Sequence, residues 1–252
     1  HGSRPQVNEQ LRLKGLNARI GRHTEPTDSD VLECVKEAAG EIRLDIEAAF
    51  SQGLPNTPMS HAKMRVVSGN FVVARPVGVI EGVDYLHAGA VRKIDTESVL
   101  RTLEQESVVL LSPLGFSPTG EAFSLHMEEL AQYAASALRA EKLIYLAPAP
   151  IVEQNCTTPI DGELARAGAD ALLREGRLDE ESRIFLEKAS LAVKRGVPRA
   201  HIIPYDLDGS LLLEIFTHDG VGTMVVEDKL DDLRPATQDD VGAILQLLEP
   251  LE

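Results

Sequence analysis

The 252-residue sequence has no tryptophan, and aromatic residues make up only 4% of it. A core of this size must therefore be filled by Val, Leu, Ile and Ala. That supply suits Ala-rich helices packed on aliphatic strands better than an all-β sandwich. Cysteine is almost absent. Cys34 and Cys156 form no CxxC pair and no disulfide framework, so free thiols in a cytoplasmic setting are expected. Positive charge is scarce as well: 25 Lys and Arg stand against 40 Asp and Glu, a formal net charge of -15. Nucleic-acid binders and proteins of anionic membrane surfaces need a basic face, so neither nucleic acid nor membrane is expected as a partner. There is no apolar run of bilayer length and no signal-peptide pattern. The seven histidines show no metal-ligand spacing, and neither a GxSxG nor a P-loop occurs, so no metal and no nucleophile is expected.

What is present reads as alternating helices and aliphatic strands. Pro5, Val7, Leu11 and Gly15 predict a short first helix, with proline in its first turn and glycine at its end. Asp28 or Asp30 can cap a longer one whose apolar stripe runs Val31, Val35, Ala38, Ile42 and Ile46, ended by the break from Gly53 to Pro58. Two strands are expected around Ser68-Gly69-Asn70, a helix from Thr96 to Glu104, and a buried strand from Val108 to Leu111. Helices are predicted over Glu128 to Glu141, Asp179 to Arg195 and Ser210 to Phe216. Strands fall at Leu143 to Leu146, His201 to Ile203 and Thr223 to Val226. This order predicts an α/β three-layer sandwich, a mostly parallel sheet with helices on both faces. Glu227 to Asp232 reads as a solvated linker, after which Thr237 can cap a new helix from Asp239 to Leu248. The opening at His1-Gly2-Ser3-Arg4 and the final amphipathic pattern are expected to be cut ends, with the first strand of the fold missing at the N-terminus.

Two glycine-bearing stretches could approach a ligand. Gly2-Ser3 precedes the first helix, where free amides and the helix dipole favour an anion. Gly220-Val221-Gly222-Thr223 permits close backbone approach, but it lacks the Lys-Ser/Thr of a P-loop and no helix follows it. On residue chemistry alone it is a structural turn, and the acidic pairs are solvated helix faces.

Read together, four stretches resemble the amino-acid kinase family and, within it, the N-acetylglutamate synthases. They are His1 to Asn8, Val66 to Phe71 with Gly82 to Tyr85, Leu138 to Ile144, and Glu214-Ile215-Phe216-Thr217-His218-Asp219-Gly220-Val221-Gly222-Thr223. The last is similar to the arginine-sensor signature of these enzymes. Leu233 to Asp240 resembles the opening of a GCN5-related acetyltransferase domain.

The resemblance implies residues 1–231 as an amino-acid-kinase-like regulatory domain and 232–252 as the beginning of the acetyltransferase domain. The activity implied is amino-acid N-acetyltransfer: L-glutamate and acetyl-CoA give N-acetyl-L-glutamate, the first step of arginine biosynthesis. No cofactor is implied, acetyl-CoA being a co-substrate of the other domain, and no catalytic residue falls in this chain. L-Arginine is the implied effector, held by His201, Glu214 and Gly220 with Gly222 shaping the loop. A homo-oligomer is implied as well. A vestigial kinase-like pocket would comprise Gly2, Ser3, Asn70 and Glu128. It departs from the kinases, because Arg4 follows where a glycine run is needed and Glu128 replaces the Asp that organises catalytic lysines. The Arg-Val-Thr grip on substrate carboxylate would fall at Glu25-Pro26-Thr27. Phosphoryl transfer by an N-acetylglutamate kinase or another amino-acid kinase, and a stand-alone arginine-binding module, are the alternative readings.

Overall fold

The structure is a computed structural model that describes residues 1–16, 26–52, 64–152, 160, 162–217 and 220–228. The proposed second domain, the helix after Thr237, Cys156, and His218-Asp219 of the signature lie outside the described residues. So do the break from Gly53 to Pro58 and Glu25 of the expected carboxylate grip.

The chain begins with α1 (Arg4–Leu13) and α2 (Ser29–Ser51), which bury Val7 and Leu11 against Val31, Cys34, Val35 and Ala38. Asp28 starts α2 by accepting from the Val31 amide at 2.8 Å, which satisfies one of the orphan donors of the first turn. Strands β1 (Arg65–Ser68), β2 (Val72–Pro76), β3 (Val79–Ile80), β4 (Val83–Asp84) and β5 (Gly89–Ile94) follow. The predicted pair around Ser68-Gly69-Asn70 exists but is not a hairpin. β1 instead runs parallel to β6 (Ser107–Leu110), and β2 pairs antiparallel with β5. Helix α3 (Thr96–Glu104) is capped by Asp95, whose carboxylate accepts from the Ser98 amide at 3.1 Å and its hydroxyl at 2.7 Å. β7 (Leu114–Phe116) and β8 (Ala122–Ser124) complete a four-stranded sheet in the order β5-β2-β7-β8.

Helix α4 (Met127–Leu138) ends earlier than expected, because Arg139 takes a left-handed conformation that stops it. It leads into β9 (Lys142–Ala147), then β10 (Gly162–Ala165), α5 (Arg166–Glu175), α6 (Glu180–Lys194), β11 (Arg199–Pro204), α7 (Ser210–Phe216) and β12 (Thr223–Val226). The second four-stranded sheet runs β10-β12-β11-β9. β9 and β11 are parallel, as are β10 and β12, but β12 runs antiparallel to β11. Pairing is thus more mixed than the apolar runs suggested, because returning segments such as α7 are too short for a full crossover. Helices α4, α5 and α6 cover this sheet through Leu143, Tyr145, Ala169, Phe185, Leu186, Ala189, Ala200, Ile202 and Val225. No described helix is long and apolar enough to cross a membrane.

Candidate functional site

The central strand β11 places His201 opposite Ile144 of β9 and Met224 of β12. The ring is buried. Thirteen residues on, Glu214 reaches it from α7, and His201 Nδ1 lies 2.7 Å from Glu214 Oε1. The other carboxylate oxygen accepts from the backbone amides of Val221 at 2.8 Å and Gly222 at 3.1 Å. Glu214 turns its side chain inward, as does the buried Ser210, on a helix whose Leu211, Leu212, Leu213, Ile215 and Phe216 are exposed. Its side chain retains only 4% of its accessible surface.

Both glycines of the loop are required by this arrangement. Gly220 adopts φ +63°, and a Cβ there would stand 2.6 Å from Glu214 Oε2. A Cβ on Gly222 would meet the Ile202 carbonyl oxygen at 2.4 Å. Thr217, which the motif reading did not single out, braces the loop by accepting from the Gly220 amide at 3.3 Å. His201, Glu214, Gly220 and Gly222 therefore form one close-packed cluster around the buried Glu214 carboxylate.

Its hydrogen bonds fix the chemistry on offer. A carboxylate only accepts, so the ring nitrogen facing Glu214 is the protonated one. In the neutral imidazole this leaves Nε2 as an acceptor, and Nε2 is buried without a partner. A buried orphan acceptor is uncommon and calls for a donor.

The second expected constellation is only partly assembled. Gly2, Ser3 and Glu128 line one cavity of about 510 Å³, with Arg4 and Glu181. Asn70 is not part of it. It lines a different cavity of about 360 Å³ with Lys36, Arg43 and Ser68, because β1 delivers Ser68-Gly69-Asn70 beneath α2 rather than beside α4. Arg4, at the start of α1, donates to Glu128 Oε1 at 3.0 Å and stands 3.8 Å from Glu181. Tyr145, which no motif marked, donates to the Glu128 carbonyl at 2.7 Å. Burial, and then the nearby Glu128 carboxylate, push its phenol well above the ordinary range. Among the described residues no group of His, Cys, Asp or Glu could hold a metal ion.

The sequence profile of the amino acid kinase family matches residues 1–204. The chain belongs to this family. Within reach of it are amino-acid acetyltransferases from Ralstonia nicotianae, 54% identical, and Azotobacter vinelandii, 44% identical, each aligned over the whole of this chain and 56% and 58% of their own length. Among solved structures, N-acetylglutamate synthase from Neisseria gonorrhoeae, complexed with coenzyme A and L-arginine, superposes with a TM-score of 0.81 at 32% identity. That superposition covers 99% of this chain and 58% of the synthase. The chain thus spans little more than half the length of the curated relatives it matches.

Proposed function

We propose that the chain is the effector-binding part of an amino-acid N-acetyltransferase that makes N-acetyl-L-glutamate from L-glutamate and acetyl-CoA. Residues 1–231 would form the regulatory domain and 232–252 the beginning of the acetyltransferase domain, whose catalytic residues lie outside this chain. L-Arginine would feed back through the cluster of His201, Glu214, Gly220 and Gly222. The enzyme would be a cytoplasmic homo-oligomer of arginine biosynthesis.

One observation carries the effector reading: the buried His201–Glu214 pair leaves Nε2 as an orphan acceptor next to a carboxylate. A guanidinium carries five donors and no acceptor, so arginine can donate to Nε2 while its charge is balanced by Glu214. The name shared by relatives aligned across the whole chain supports the acetyltransferase reading, and the arginine-bound synthase supports the effector. Phosphoryl transfer is disfavoured, because Arg4 stands where the glycine run of a phosphate loop would lie and is paired with Glu128, the residue in place of the organising Asp.

Isothermal titration of L-arginine into the chain should give saturable heat that Glu214→Ala abolishes. A longer version carrying the second domain should acetylate L-glutamate from acetyl-CoA and be sensitive to arginine. No N-acetylglutamate formation by that longer protein would rule out the enzyme. Absence of arginine heat with a folded wild-type chain would rule out the effector.

A further inference from the structure

The 510 Å³ cavity between the first turns of α1, α4 and α6 is lined by the ionisable residues Arg4, His126, Glu128, Glu181 and Tyr205, none of which the effector site uses. Two carboxylates face one guanidinium, so the polar end carries an excess of negative charge. Arg4 satisfies only Oε1 of Glu128. Oε2 is buried with no donor, although Glu128 as a residue is just 4% exposed. A buried carboxylate oxygen without a donor is costly, and a ligand that supplies one relieves the cost. Glu181 is not hydrogen-bonded to Arg4 either, at 3.8 Å. The remaining wall is apolar and includes Val7, Leu125, Met127 and Phe185.

We propose that this cavity binds a small primary amine, its ammonium group paired with Glu128 and Glu181 and its aliphatic part laid along Val7, Leu125, Met127 and Phe185. The charge preference is the reverse of a phosphate pocket: the Arg4 guanidinium is already paired with Glu128, and two carboxylates repel an anion. A primary ammonium has three donors, enough to reach both carboxylates at once. Ser3 forms no side-chain cap on α1, Pro5 has no N–H and the Val7 amide bonds the Ser3 carbonyl, so the Gln6 amide is a first-turn donor that a ligand carboxylate could use. The ammonium could therefore come from a plain alkylamine or from an α-amino acid with an unbranched side chain. None of the effector-site residues takes part, so this inference stands or falls apart from the arginine reading.

The test is isothermal titration of the 252-residue chain with 1,4-diaminobutane, L-norvaline and orthophosphate in separate runs. Saturable binding of one or both amines is expected, with no binding of phosphate. Tighter norvaline assigns the amino acid as ligand class, tighter diamine the alkylamine. Glu128→Gln should weaken the amine at least about tenfold, and Glu181→Gln several-fold, while L-arginine binding stays unchanged. Should Glu128→Gln fail to fold by circular dichroism, the more exposed Glu181→Gln decides the matter alone. No amine binding by wild type, wild-type affinity in a folded Glu181→Gln, or orthophosphate binding at the strength of the amines would overturn the proposal.

Discussion

Replacing Glu214 by Ala and by Gln separates its two roles. In the native cluster it accepts from His201 Nδ1 and from the amides of Val221 and Gly222, with its side chain 4% exposed. Alanine strands all three donors. A buried polar group left without a partner costs about 1–3 kcal/mol. With three donors stranded, a total of about 3–5 kcal/mol is expected, read as a lower urea midpoint at unchanged slope.

Glutamine keeps the shape. Its carbonyl can go on accepting from Val221 and Gly222, which turns its NH2 toward His201. Nδ1 must then accept, and the ring hydrogen moves to Nε2. The fold loses only about 1–2 kcal/mol. Nε2, however, becomes a donor facing a guanidinium that is itself all donors. Arginine affinity should fall by about 2 kcal/mol, or roughly thirtyfold, in a titration of the folded variant. A folded Glu214→Gln that binds arginine within about twofold of wild type would refute the tautomer argument.

Three further outcomes are expected. Gly222→Ala drives a Cβ to 2.4 Å from the Ile202 carbonyl; it should cost roughly 1–3 kcal/mol in denaturation and weaken arginine binding by shifting the Gly222 amide. Arg4→Met leaves Glu128 buried without its cation, and since Arg4 is itself 30% exposed the loss should be about 2–4 kcal/mol in urea unfolding. The Ser98 hydroxyl and amide hold the Asp95 carboxyl below the usual range. Its capping of α3 is therefore fully present above the ordinary carboxylate pKa and is lost as pH falls through the depressed folded value. Amide exchange in α3 should speed up in that acid window for wild type but not for Asp95→Asn.

Helix starts were legible because their signals are local. Asp28, Asp95 and Asp179 sit directly before α2, α3 and α6 and cap them through their own side chains. α5 was missed: its N-cap is Ala165, which makes no side-chain cap, and it carries no other start signal. The short strands β3, β4, β7 and β8 were missed because two or three residues hold no period, and pairing partners fix them instead. The orientation of α7 was hidden for a different reason. Its leucines and Ile215 would normally turn inward, yet Glu214 does, since the amides of Val221 and Gly222 and the His201 ring supply its donors. Spacing within the signature sets Glu214 against Gly220 and Gly222, whereas His201 lies outside it and is brought to Glu214 by the position of β11 beside α7. Asn70 followed no such local rule: the parallel pairing of β1 with β6, across more than thirty intervening residues, carries it to another cavity.

In the proposed effector site, arginine donates to His201 Nε2 while Glu214 holds Nδ1–H. Imidazole ¹⁵N NMR of the chain, selectively labelled at histidine and titrated with L-arginine, tests it most directly. The free protein should show His201 protonated at Nδ1, and arginine should shift the Nε2 resonance of that residue in a saturable way, with no shift in Glu214→Gln. Arginine that binds without moving the His201 Nε2 signal, or a free ring protonated at Nε2, would rule out this mode of binding.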